Sequence, residues 1–81
     1  MPYYELMFFD RITRDPAIMA GVPCVRGMRF PITTILSSLG SGMSEEELLA
    51  DHPDLELEDI RQALSYAVEV LQEHGNPLRI V

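Results

Sequence analysis

The 81-residue sequence contains a single cysteine, Cys24, and no lysine. One cysteine excludes an intrachain disulfide and a zinc site built from several thiolates. No apolar run approaches the roughly 20 residues that span a bilayer. The first five residues, MPYYE, lack the basic region of a signal peptide. These absences together predict a cytoplasmic protein.

The short length predicts one domain of limited stability. A chain of this size buries only about 60% of the surface that its unfolded form exposes, and small domains often depend on a disulfide, a metal or a partner chain. The hydrophobic fraction of 47% is ordinary for a folded protein. Since disulfides and multi-thiolate zinc are excluded, self-association is the expected source of additional stability.

The charge is negative overall and unevenly placed. The net charge is −7, and all six basic residues are arginine. Residues 1–30 carry four arginines against three acids, whereas residues 31–81 carry two arginines against ten acids. Nucleic-acid binding normally requires a basic surface. We therefore expect any DNA contact to come from the first 30 residues, and the acidic remainder favours a basic protein partner.

Residues 1–31 are predicted to form an N-terminal β-arm. Prolines and glycines interrupt this region and leave short extended pieces at 7–12, 17–19, 24–26 and 28–30. Strands this short are marginal alone, so they need either the arm of another chain or the helices that follow. We predict a homodimer in which two arms pair. The expected interface residues are Phe8, Phe9, Ile12, Val25 and Phe30.

Residues 32–75 are predicted to form a three-helix core, followed by a tail at 76–81. The first helix has apolar residues at helical spacing and stops at Gly40-Ser41-Gly42. The second begins with a capping box formed by Ser44 and Glu47. The third runs from about 57 to 74, where Gly75 and Pro77 end it. Its predicted buried stripe consists of Leu57, Ile60, Leu64, Ala67, Val68 and Leu71.

This pattern predicts a mainly α fold with a short β-arm. The connection at 51–56 has the length found between the two helices of a helix-turn-helix motif, although any small bundle needs such a turn.

Several motifs occur in order along the chain and resemble those of the domain-of-unknown-function 433 family. They are Asp15-Pro16, GVPCVRGMRFPI at 21–32, GMSEEELL at 42–49, HPDL at 52–55, EDI at 58–60 and ALSYA at 63–67. The resemblance covers about residues 9–70, nearly the whole chain.

The resemblance implies a homeodomain-like helix-turn-helix core and a similarity to VapB-type antitoxins, which are often encoded beside a PIN-like ribonuclease toxin. It implies neutralisation of such a toxin and repression of the operon by the toxin-bound complex. The family usually has threonine at the positions of Met28 and Glu56. Since glutamate is a poorer N-cap than threonine, we expect the last helix to begin less sharply or to use Asp59 differently.

The alternative function is a stand-alone DNA-binding regulator. The last helix would then read DNA, with Arg61 and Gln62 near the bases and Arg26 as a contact from the arm. Acids on that helix would repel phosphates, so we favour a solvated acidic face.

Arg29 is expected to anchor the arm by pairing with a carboxylate such as Asp15 or a helix acid. Besides Arg61 and Gln62, the positions expected to be exposed on the last helix are Glu58, Asp59, Ser65, Glu69 and Glu73.

The acids of the second helix and the following turn are candidates for toxin contact. A ribonuclease binds a polyanion, so an acidic domain can block its basic site and associate rapidly at low salt. The apolar tail is suited to adding a strand to the sheet of a partner. The predicted toxin contacts are Glu46, Glu47, Asp51, Asp54, Leu78 and Ile80.

No part of the sequence combines a nucleophile, a base and an oxyanion donor. We therefore predict a binding protein rather than an enzyme, with no cofactor or metal. Cys24 has no histidine nearby in sequence and is predicted to be a small buried apolar residue. His52 is predicted to be part of a polar helix end, because a metal needs more well-spaced ligands.

Overall fold

The structure is a computed structural model, and residues 9–73 are described. A two-stranded antiparallel sheet, β1 (Ile12–Thr13) and β2 (Cys24–Val25), precedes three helices. The helices are α1 (Ile32–Gly40), α2 (Glu45–Asp51) and α3 (Leu57–Glu73). The described part is therefore mainly helical, with a short sheet ahead of the helices.

The two strands pair with each other inside one chain. Ile12 lies opposite Val25, and Thr13 lies opposite Cys24. Of the predicted extended pieces, only these short stretches form strands within residues 9–73, and the chain between them makes a 3-10 turn at Met19–Gly21. Cys24 and Val25 are buried because the sheet packs over the helices. The prediction that Cys24 is a buried apolar residue is confirmed.

The first two helices begin and end close to their predicted positions. The chain leaves α1 through Gly42, whose φ of 104° suits a glycine. At the start of α2, the Glu47 N–H donates to Ser44 Oγ at 3.0 Å, and the Ser44 N–H donates to Glu47 Oε1 at 2.8 Å. The predicted capping box is thus confirmed.

Helix α3 packs against α1, α2 and β1. The hydrophobic core that these elements enclose consists of Val25, Ile32, Ile35, Leu48, Leu55, Ile60 and Ala63. No helix within residues 9–73 is long and apolar enough to cross a membrane.

The predicted orientation of α3 is wrong for most of its stripe. Ile60 is buried and Ala67 is half-buried, as expected. The remaining four residues are exposed, because the helix turns Asp59 and Ala63 towards the protein interior instead. The exposed residues of the predicted stripe are Leu57, Leu64, Val68 and Leu71. The predicted end of α3 at residues 74–77 lies outside the described residues.

Candidate functional site

A buried carboxylate joins the β-arm to the start of α3. Asp59 is only 2% exposed. Its Oδ1 accepts from Arg26 Nε at 3.1 Å and from Arg11 Nη1 at 3.2 Å. Its Oδ2 accepts from Arg26 Nη2 at 2.9 Å and from the Glu56 backbone N–H at 2.8 Å. We call Arg11, Arg26, Glu56 and Asp59 the arginine clamp, because they fasten the arm to the helix.

The contact with the Glu56 N–H also explains how α3 begins. Glu56 precedes the helix, and Asp59 is its third residue. A side chain at this position that accepts from the N-cap backbone N–H forms one half of a capping box. Asp59 therefore caps the start of α3, where Glu56 stands in the N-cap position.

Arg26 is held in an uncommon backbone conformation. Its φ is 43°, and that of the following Gly27 is 73°. Both lie at the centre of a tight turn closed by the Met28 N–H, which donates to the Val25 carbonyl at 2.8 Å. A non-glycine residue in the left-handed region costs roughly 1–2 kcal/mol. The side chain offsets this cost through its bidentate bond to Asp59 and a further bond to the Asp54 carbonyl at 2.6 Å.

A second set of contacts fixes residues 9–11 of the arm. The Arg11 N–H donates to Gln62 Oε1 at 3.0 Å, and Gln62 Nε2 donates to Asp10 Oδ1 at 2.7 Å. The Arg11 guanidinium also pairs with Glu56. The ring of Phe9 packs edge-on against Tyr66, with centroids 5.4 Å apart. The segment from Phe9 to Arg11 is thus fixed along the first half of α3.

The contacts of the clamp shift the pKa values of Asp59, Arg11 and Arg26. Burial by itself would raise the pKa of Asp59, but hydrogen bonds from Arg26, the Glu56 N–H and Arg11 outweigh burial and lower that pKa below 3.8. The hydrogen bond to Glu56, with a further one to Asp59, raises the pKa of Arg11, and the one to Asp59 raises the pKa of Arg26. All three groups therefore remain charged near neutral pH.

The clamp also determines which charges reach the surface. Between residues 32 and 73 the only basic residue is Arg61. Asp59 and Glu69 are buried, so the remaining acids of this range face solvent. They are Glu45, Glu46, Glu47, Asp51, Asp54, Glu56, Glu58 and Glu73. The surface of the helices is therefore strongly acidic.

The predicted toxin-contact residues divide into two groups. Glu46, Glu47, Asp51 and Asp54 are exposed on α2 and the turn after it. Glu47 also belongs to the capping box. Leu78 and Ile80 lie outside the described residues.

The predicted DNA-contact residues do not form one surface. Arg26 is bound to Asp59, and both ends of the Gln62 amide are bound to the arm. Arg61 is exposed on α3. Arg26 anchors the arm, a role that was expected of Arg29, and Arg29 is exposed. The reason is the turn geometry, which directs Arg26 towards α3.

The predicted dimer-contact residues of the arm pack against their own chain. Val25 is buried in the core, so it is not available to a second chain in this arrangement. Ile12 and Phe30 pack against the same core, and the Phe30 ring lies edge-on to His52. Phe9 contacts Tyr66. Phe8 lies outside the described residues.

Sequence reasoning missed two acids of α3. Asp59 and Glu69 were both expected to be exposed, yet they are 2% and 4% exposed. For Asp59 a signal was present, since it lies at the third position of a helix that lacks a good N-cap residue. For Glu69, whose Oε1 has no hydrogen-bond partner, the sequence offers no comparable signal. Within residues 9–73 no group of three or more His, Cys, Asp or Glu side chains could hold a metal.

Within residues 9–73, the fold and the anchored arm define a three-helix unit whose arm is fixed to α3 by a buried ion pair. The chain belongs to the family described as protein of unknown function (DUF433), whose model matches residues 12–67. Three of the four members of the clamp, Arg26, Glu56 and Asp59, lie within this match.

The chain is also similar to one protein sequence and to one solved structure. The chain is 40% identical over 68 residues to the uncharacterized protein y4eO of Sinorhizobium fredii (strain NBRC 101917 / NGR234). The match covers 84% of this chain but 28% of that protein, so the chain spans little more than a quarter of its length. The fold is similar to the crystal structure of a DUF433 member protein from Anabaena variabilis ATCC 29413, with a TM-score of 0.72 and 28% identity. That likeness covers 89% of this chain and 71% of the other.

Proposed function

We propose that this protein is an antitoxin-like binding protein that neutralises a PIN-like ribonuclease toxin. The observation that carries the proposal is the acidic surface of the helices, where eight exposed acids accompany the single exposed Arg61. The resemblance to VapB-type antitoxins supplies the class of partner. The protein acts by binding rather than by catalysis, and it acts in the cytoplasm, where its toxin cleaves RNA.

The arginine clamp also shapes the electrostatics of this surface. Arg11 and Arg26 would otherwise offset part of the negative charge near α3, but Asp59 and Glu56 engage them. Arg29 lines the same groove as Asp51 and Asp54, so the negative charge that α2 presents to a partner comes chiefly from the exposed Glu45, Glu46 and Glu47. A ribonuclease site that attracts RNA phosphates also attracts such a surface, and complementary charge accelerates association.

The finer fold proposal is that α2, the five residues 52–56 and α3 form a homeodomain-like helix-turn-helix unit. In this proposal the unit has been adapted to contact protein. Its second helix directs Leu64, Val68 and Leu71 outwards, and aliphatic side chains contribute little to binding phosphates. The toxin-bound complex would also repress its operon, with DNA contacts supplied by the complex.

The test is inhibition of a purified PIN-like toxin encoded by the neighbouring reading frame. An equimolar amount of this protein should abolish RNA cleavage and form a complex that survives sizing chromatography. The double variant Glu46→Gln/Asp51→Asn should slow association by about 10-fold at low salt and by much less at high salt. The matched control, Asp15→Asn/Glu73→Gln, changes the net charge equally outside α2 and should associate like the wild type. Undiminished RNA cleavage would contradict the proposal.

A stand-alone DNA-binding regulator is the second candidate, and exposed Arg61 on the second helix of the proposed motif favours it. It predicts that the free protein binds duplex DNA from its own promoter with an affinity that falls steeply as salt rises. Arg61→Ala should weaken that binding, whereas Ser65→Ala on the same helix should not. Binding that is weak and insensitive to Arg61 would eliminate this candidate.

A further inference from the structure

The outward side of α3 carries an apolar stripe formed by Leu57, Leu64, Val68 and Leu71. These side chains are 36%, 40%, 51% and 52% exposed, respectively. At 100° per residue, they fall within a sector of about 60° on the helix. None of them belongs to the hydrophobic core. A domain this small does not gain stability by leaving four large aliphatic side chains in water.

The stripe continues into a groove beside it. The groove lies between α1 and α3 and has a volume of about 640 Å³. Its lining is mostly apolar and includes Leu36, Ala67 and Leu71, with the charged Arg14 and Glu73 also contributing. Leu71 belongs to both features, so the apolar surface extends from the exposed side of α3 towards α1. An apolar surface of this kind is characteristic of an interface between proteins.

We propose that a second copy of this chain covers the stripe, with the two α3 helices antiparallel around a two-fold axis near Leu64. A two-fold interface uses the same patch on both copies, so the patch must be self-complementary. Leu57, Leu64 and Leu71 are spaced seven residues apart and are therefore symmetric about Leu64. Antiparallel packing places Leu64 against its own counterpart, and Leu57 against Leu71 of the second copy.

The charges of α3 are compatible with this arrangement. Two chains of net charge −7 repel each other, so they associate most easily along a face with few acids. The four acids of α3 lie at least about 110° around the helix from the middle of the stripe. Arg61 is the nearest charged residue of the helix, at about 50°. The stripe is therefore the side of α3 on which two copies meet with least repulsion.

A stable dimer needs a larger contact area than the stripe alone provides, so the groove must also lie in the interface. A stable interface buries about 800 Å² on each partner, which is about one seventh of the 5703 Å² surface of the chain. The four side chains of the stripe are too few to supply this area. The second copy must also cover the groove, including Leu36.

The first test measures the mass of the full chain in solution by sedimentation equilibrium between about 1 and 200 μM. The wild type should have twice the chain mass of 9.2 kDa. Leu64→Glu places two carboxylates at the two-fold axis and should raise the dissociation constant by about 100-fold. Ala50→Glu, on an exposed position of α2, is the matched control and should remain dimeric. Circular dichroism must show the same helix content for all three proteins.

The second test uses cysteines to determine the register, because a disulfide forms only when two Cα atoms approach within about 7 Å. In a Cys24→Ala background, Leu64→Cys should cross-link to itself on oxidation. Leu57→Cys should cross-link when mixed with Leu71→Cys but not to itself.

Self-linkage of Leu57→Cys would overturn the antiparallel arrangement. A monomeric wild type at 200 μM, or a dimer that Leu64→Glu leaves intact, would overturn the proposal as a whole. Neither result depends on whether a toxin is bound, so the proposed function is tested separately.

Discussion

Removing the Asp59 carboxylate should be among the most damaging changes available on α3. Asp59→Ala deletes four hydrogen bonds and leaves Arg26 with only the Asp54 carbonyl. Removing one member of a buried ion pair typically costs 3–5 kcal/mol. The side chains of Arg11 and Arg26 are 27% and 35% exposed and can turn to water, so the lower end, about 3 kcal/mol, applies.

That loss is large compared with the total stability of the chain. At 0.05–0.15 kcal/mol per residue, a domain of this length has a free energy of unfolding of about 4–12 kcal/mol. A loss of about 3 kcal/mol therefore corresponds to a fall in Tm of about 12–24 °C. The arm should also loosen, because Arg26 loses the bonds that offset its positive φ.

The assay is urea unfolding followed by circular dichroism, with thermal unfolding as a second measurement. Asp59→Asn separates charge from shape, since it retains an acceptor for the Glu56 N–H but cannot pair with the arginines. Glu58→Gln changes an exposed neighbour by one charge and should stay within about 0.5 kcal/mol of the wild type. In a double-mutant cycle, Arg26→Ala and Asp59→Ala should be coupled by about 1–3 kcal/mol. If Asp59→Asn proved as stable as the wild type, the clamp would not hold the arm as described.

Three further predictions concern the same framework. The folded pKa of Asp59 lies below 3.8, so its stabilising contribution is complete above that pH and is lost as the pH falls towards the folded pKa. The difference in unfolding free energy between the wild type and Asp59→Asn should therefore shrink in urea titrations below about pH 4. A difference that stays constant down to pH 2 would contradict this. Ser44→Ala should lower the free energy of unfolding by about 1 kcal/mol by removing the α2 cap, whereas Ser37→Ala, exposed on α1, should change it little. Glu69→Gln should raise Tm in calorimetry, because it removes a buried charge with an unpaired Oε1; an unchanged or lower Tm would show that the carboxylate is compensated.

The placement of the helices was predictable from local signals. Periodic apolar residues and the Gly40-Ser41-Gly42 stop identified α1, and the Ser44–Glu47 pair identified the start of α2 to the residue. These signals depend on interactions between residues three or four positions apart, which are present in the sequence itself. The acidic character of the helical region was equally readable, since it requires only a count of charges.

The orientation of α3 was not predictable in the same way. By hydrophobicity alone, Leu64, Val68 and Leu71 should face the core and Asp59 should face water. The structure reverses this because two arginines of the arm, 33 and 48 residues away in sequence, reach the Asp59 carboxylate. Burial of a charge is favourable only when such partners are present, and no local pattern shows that they will be.

The sequence by itself therefore determined where the helices begin, that the chain is a small acidic domain, and which family motifs it carries. Only the tertiary structure decided which arginine anchors the arm, which side of α3 is buried, and which apolar side chains remain exposed. The first set follows from short-range hydrogen bonding and composition. The second depends on a turn with positive φ that directs Arg26 across the fold, and long-range geometry of this kind exists only in the folded chain.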